Sequence, residues 1–320
     1  MTIGLSPYLT PAMLLENNYG VDWSSFPKPG ASPAAQISAQ LAICAEVTSE
    51  MDSLSLTLRA NIDTETEQGP DFIITTRANG WARFRLANWP VLQVLSAQVS
   101  PSSATPPNWT PIPLDSLMSD HAGITLSGTI VPSGASPGPS AVLIGPGYVN
   151  WANGRNGYLV QVSTITGFPV CGIDQTALAG TTILHVDDIT GWWNGVNGAT
   201  GTLYDPPYRE QVNICCSTPD SADGAVSGPG TIELTQGLQF SHVPRVGVPG
   251  QADQRILLST FPATLIQAGF YLATYYGLIR GATGAVMGSA RGQAAPSSMK
   301  SANDWHDRAV EILSRFARVL

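Results

Sequence analysis

Two stretches of helical period, one near each end, enclose a long middle that is patterned for strands and almost free of charge. This layout constrains the fold more than any motif, because strands in the middle need partners that the helical ends do not supply. Ser32-Pro33 is a helix start: the serine caps open amides, and a first-turn proline loses no needed hydrogen bond. From there Ile37, Leu41, Cys44, Val47, Met51, Leu54 and Leu58 recur at three- and four-residue spacing, predicting a helix over Pro33–Leu58. The period returns at Phe261, where Leu265, Gly269, Leu272, Tyr276 and Ile279 form a stripe that stops at Gly281. Ser301–Asp304 resembles a capping box for a last helix carrying Trp305, Ala309, Ile312, Leu313 and Phe316. Acidic residues lie early on that helix and Arg315 and Arg318 late, as its dipole favours. A short helix or arm is expected over Tyr8–Asn18.

In the middle, Phe72–Ala78 and Trp81–Leu86 flank Asn79-Gly80, a strong hairpin signal. Arg83 and Arg85 share one face of the second strand, either solvated or at a subunit contact. Val91–Val99, Gly123–Ile130, Ala141–Ile144 and Tyr158–Thr166 read as further strands. After Gly167-Phe168-Pro169 a second set follows: Thr181–Val186, Gly201–Tyr204, Glu210–Cys215 and Thr231–Thr235. Asp63, Glu65 and Glu67 read as a solvated acidic loop. The expected fold class is α+β: a helical bundle core formed by the N- and C-terminal segments, with inserted antiparallel β domains. The expected boundaries are 1–69 and 251–320 for the two helical parts, 70–170 for a β-rich domain and 171–250 for a small β module.

Only 12% of the residues are charged, about half the usual share, which suits a surface largely covered by partners. Residues 251–320 hold seven Lys/Arg and four Asp/Glu, a balance of +3, which leaves −11 on residues 1–250. An acidic body with a mildly basic end suits docking to an acidic partner and argues against a tight grip on nucleic acid. Met1–Glu16 lacks the pattern of a signal peptide, and no stretch is apolar enough for a membrane span. Cys44, Cys171, Cys215 and Cys216 fit neither a disulfide framework nor a zinc site, and an intracellular, reduced setting is the simplest expectation. Cys215 and Cys216 are expected on opposite faces of one strand.

No catalytic constellation emerges. Gly134–Gly138 matches the serine-hydrolase elbow, but Pro137 removes an amide that the oxyanion hole would use. Gly145–Gly157 lacks the Lys-Ser/Thr of a phosphate loop. Asp187 and Asp188 with Glu210 and His242 could gather round a metal, but surface turn acids and a single polar histidine explain them more cheaply. No catalytic, metal or cofactor site is therefore expected. Tyrosines and tryptophans such as Tyr275, Tyr276, Trp192 and Trp193 divide between core and interface.

Several segments together resemble the head-to-tail adaptor (connector) proteins of tailed bacteriophages, as found in siphophages of actinobacteria. They are Arg85–Val94 with its Pro-Val-x-x-Val strand, Gly145–Val149 through Gly154–Tyr158 to Pro169, and the closing helix from Trp305 to Val319. Gly180–Val186, Gly191-Trp192, Glu210–Val212 and Phe240–His242 resemble a small β module inserted in several phage structural proteins. The resemblance implies a virion protein, assembled in the host cytoplasm, that forms a dodecameric ring between the portal protein and the stopper or head-completion protein. Double-stranded DNA would pass through the lumen without specific binding, and no membrane is involved. The portal or subunit interface is then expected at Trp305, Arg308, Arg315, Phe316, Arg318 and Leu320, with Arg83 and Arg85. The alternatives are a stopper or tail-completion protein of the same neck, and a glycan-binding β module with Trp192 and Trp193 as its platform.

Overall fold

The computed structural model describes residues 5–16, 19–55, 58–68, 82–85, 90–101, 104–114, 117–120, 141–144, 158–192, 199–221, 225–246, 253–280 and 302–316. They form two compact units: Met1–Leu58 with Pro169–Ala317, and a second built on Arg59–Phe168, which is inserted in the sequence of the first.

The first unit opens with α1 (Pro11–Glu16) and α2 (Pro33–Ser55) and closes with α3 (Ala263–Ile279) and α4 (Ala302–Ser314). Helix α2 starts where Ser32-Pro33 predicts, with the Ser32 hydroxyl accepting from Ala35 N at 3.3 Å. Its buried residues are Gln40, Ile43, Cys44, Val47, Met51 and Ser55. Ile37, Leu41 and Leu54, expected on the stripe, are only half-buried. Gln40 is tolerated inside because its amide donates to the Trp23 carbonyl at 2.8 Å. Helix α3 is buried along Leu265–Thr274 with little interruption, so its aromatic surplus serves the core: Phe270 and Tyr271 are both buried.

Between these helices lies a closed antiparallel barrel. Its strands are β8 (Val170–Ile173), β9 (Ile183–Val186), β10 (Thr200–Asp205), β11 (Tyr208–Pro219), β12 (Gly230–Leu234) and β13 (Ile256–Ser259). The order is β10-β11-β12-β9-β8-β13, with β13 pairing back to β10 at Thr202↔Ser259. Ile173, Leu184, Leu203, Ile214, Ile232 and Leu258 fill it, and Trp192 packs among them. Gly201 makes room for that tryptophan: a Cβ there would sit 2.8 Å from Leu258 Cδ1 and 3.2 Å from Trp192 Cη2.

The second unit carries a sheet ordered β1-β7-β3-β4: β1 (Asn61–Gln68), β7 (Tyr158–Thr166), β3 (Val91–Pro101) and β4 (Thr110–Ile112). A second sheet is ordered β2-β6-β5: β2 (Ala82–Arg85), β6 (Ala141–Ile144) and β5 (Leu117–Asp120). The two ends of this unit meet where Ala60 N donates to Phe168 O at 2.8 Å, the closure expected of an insertion.

Three expectations need correction. No helical bundle forms the core: the described chain is mostly β, and only α2, α3 and α4 exceed two turns. In its place the strands of the second set, with β8 and β13, pair into a barrel that closes on itself and holds its own core. Asp63, Glu65 and Glu67 form no loop; they lie in β1, paired with β7 from Asn61↔Thr166 to Gln68↔Leu159. Their alternation with Ile62, Thr64 and Thr66 is a strand period that the scarcity of apolar residues disguises. Cys215 and Cys216 do not face opposite ways, because the β11–β12 register shifts between Ile214 and Cys216. Phe72–Ala78, Asn79-Gly80 and Gly123–Ile130 lie outside the described residues.

Candidate functional site

Among the described residues, three groups of side chains bear on the expected sites, and all belong to the first unit. The first is α4. Ala309 and Leu313 are fully buried and pin it to the body. Half-buried Trp305 sits 5.2 Å from the Tyr271 ring and 5.7 Å from Tyr19. His306 Nε2 lies 2.9 Å from Glu50 Oε1, which ties α4 to α2. Arg308 on α4 and Arg315 in the turn that follows it are both exposed. Glu311 stands between them and pairs with Arg315 at 3.0 Å. Phe316 is half-buried, and Arg318 and Leu320 lie outside the described residues. The backbones of Arg83 and Arg85 belong to β2, paired with Leu143 and Ala141, but their side chains are not among those described. The expected interface residues are thus brought together only along α4, and there Trp305 serves internal packing as well.

The second group is a clamp at one turn of the barrel. His242 is fully buried, with Nδ1 2.8 Å from Asp205 Oδ2 and Nε2 2.9 Å from Glu210 Oε1. Glu210 also accepts from Gln239 N at 2.9 Å. Burial disfavours the imidazolium, yet hydrogen bonds and charge from Asp205 and Glu210 outweigh it and raise the histidine above its ordinary 6.5. Ala177 and His242 exchange backbone hydrogen bonds at 2.9 and 2.7 Å. Tyr208 and Phe240, both exposed, stack above the clamp at 4.9 Å and 24°. The sequence singled out His242 and Glu210 but missed Asp205; the hairpin β10–β11, which brings Asp205 opposite Tyr208, supplies it.

The third group centres on Asp187. Its Oδ2 accepts from Ser6 N at 3.1 Å and Ser6 Oγ at 2.7 Å, and it meets Arg255 Nη1 at 2.7 Å. Its Oδ1 accepts from Gly172 N at 2.7 Å. Neighbouring Asp188 accepts from Thr190 N at 3.0 Å, Thr190 Oγ1 at 2.6 Å and Gly228 N at 3.1 Å. Both aspartates are buried, so neither is the surface turn acid that the sequence suggests. They hold backbone and the N-terminal arm in place, a structural use of carboxylates. Among the described residues no group of three His, Cys, Asp or Glu is arranged to hold a metal ion.

Trp192 is 2% exposed, which removes it from any sugar platform, and Trp193 lies outside the described residues. No described helix is long and apolar enough to cross a membrane. The chain matches no known protein family, no curated protein and no solved structure.

Proposed function

We propose that this chain is a structural protein of a bacteriophage neck: a head-to-tail adaptor that assembles as a ring between the portal and the next ring of the tail. One observation carries the proposal. Helix α4 is anchored by buried Ala309 and Leu313, yet Arg308 on it and Arg315 in the turn that follows are held out to solvent. A rigidly held charged face docks at a lower entropic cost than a loose tail, and guanidinium groups suit a partner rich in carboxylates. The sequence segments that resemble adaptors, the sparse charge and the net charge of −8 agree with such a role. An acidic ring would repel DNA phosphates and let the duplex pass.

The stopper or tail-completion role in the same neck remains the second reading, since an exposed charged helix suits either ring. The glycan-binding alternative loses one of its two tryptophans, because Trp192 lies inside the barrel. Electron microscopy of virions carrying the chain, with native mass spectrometry of the purified protein, tests the proposal. A ring of this chain beside the portal is expected; a chain that is monomeric at all concentrations and absent from the neck overturns it. A ring one position further along the tail would favour the stopper.

A further inference from the structure

We propose that Cys215 and Cys216 form a two-thiol site on the outer face of the barrel for soft, thiophilic electrophiles, of which trivalent arsenicals are the model class. Adjacent residues of a regular strand point to opposite faces, which would bury one sulfur of any Cys-Cys pair in the barrel. Here Ile214 pairs with Leu234 and Cys216 pairs with Glu233, so β11 spends two residues where β12 spends one. The alternation slips accordingly. Ile214 and Ser217 are buried, while Cys215 between them is exposed and Cys216 half-exposed. Being adjacent in sequence and turned the same way, the two side chains act on each other: Cys215 contributes to the rise of the Cys216 thiol. The Cys216 thiol donates to Glu233 Oε2 at 3.2 Å, which keeps it at the surface. Among the described residues no group of three His, Cys, Asp or Glu is arranged to hold a metal ion, so the pair suits electrophiles satisfied by two sulfurs rather than ions needing a cage.

Cys216 is pushed up to about 11, by burial first and then by its hydrogen bonds to Glu233 and Cys215. At neutral pH Cys216 is therefore a thiol, slow in alkylation and disulfide exchange, which need a thiolate. Condensation with an arsonous acid suits this state. Two As–S bonds form and two As–O bonds break, each thiol proton leaves with an arsenic-bound hydroxyl as water, and arsenic stays trivalent. The other cysteines, Cys44 and Cys171, are fully buried and do not compete in the folded chain.

The test uses the full-length folded protein with phenylarsine oxide, read by intact mass. One phenylarsenic group per chain is expected, kept in excess monothiol and released by a dithiol. Before treatment an aromatic disulfide reagent, followed at alkaline pH until the slow exchange is complete, should find two accessible thiols, and after treatment none. Cys215→Ser and Cys216→Ser should each lose monothiol-resistant capture while keeping the wild-type circular dichroism spectrum. Resistant capture in either variant, release by monothiol from the wild type, or a single accessible thiol in the native chain would each overturn the site. If a serine variant misfolds, the wild-type thiol count and monothiol chase decide alone.

Discussion

At the residue scale, His242 shows how a barrel turn stores a pH response. Its pKa stands above the ordinary 6.5 because two carboxylates face it, Asp205 and Glu210. A raised pKa stabilises the fold fully below about pH 6.5 and progressively less as the pH climbs through the folded value. Thermal melts should therefore show the wild type losing stability as the pH rises past the histidine's ordinary 6.5, and His242→Gln losing much less of it over the same rise. His242→Ala should cost about 3–5 kcal/mol in denaturant titrations below pH 6.5, because it leaves two carboxylates facing each other without the ring that bonds to both. Asp187 is the second such point. Asp187→Ala should cost a similar amount, about 3–5 kcal/mol, by leaving Arg255 without its buried carboxylate. Gly172→Ala tests the same knot from the other side, since a Cβ there falls on the Ser6 hydroxyl and 2.8 Å from Arg255 Cδ. It should destabilise by about 1–3 kcal/mol.

At the scale of elements, α4 separates anchoring from docking. Leu313 is fully buried, so Leu313→Ala should cost about 2–5 kcal/mol and speed hydrogen exchange of the α4 amides. Arg308→Glu with Arg315→Glu should leave the melting temperature within a degree or two, because exposed pairs such as Glu311–Arg315 contribute little. The same double variant should lose binding to an isolated portal ring, measured by co-sedimentation. Unimpaired binding would remove α4 from the interface. Helices were the most legible elements in the sequence: Ser32-Pro33 and the spacing of Cys44, Val47 and Met51 mark α2 almost to its ends. Strand β1 was not legible, because acids and threonines alternate there without an apolar face to show the period.

At the scale of the whole molecule, the charge division should be felt in assembly. A partner contact made by guanidinium groups weakens as salt screens it, so ring–portal binding should fall between about 0.05 and 0.5 M NaCl, measured by sedimentation. By itself the sequence determined what is local: the spans of α2, α3 and α4, the positions of most strands and the uneven charge. Each of these depends on residues within a few positions of one another. Only the tertiary structure decided what those elements join. Strand β13 closes the barrel against β8 and β10, which lie far from it along the chain, and no local period announces such a partner. The same holds for Asp205 beside His242, for Trp192 inside rather than out, and for the bulge that turns both cysteines to solvent. A helical core was the natural expectation from the chain ends. The barrel replaced it because strand pairing satisfies backbone hydrogen bonds between distant segments and, once closed, leaves no edge exposed.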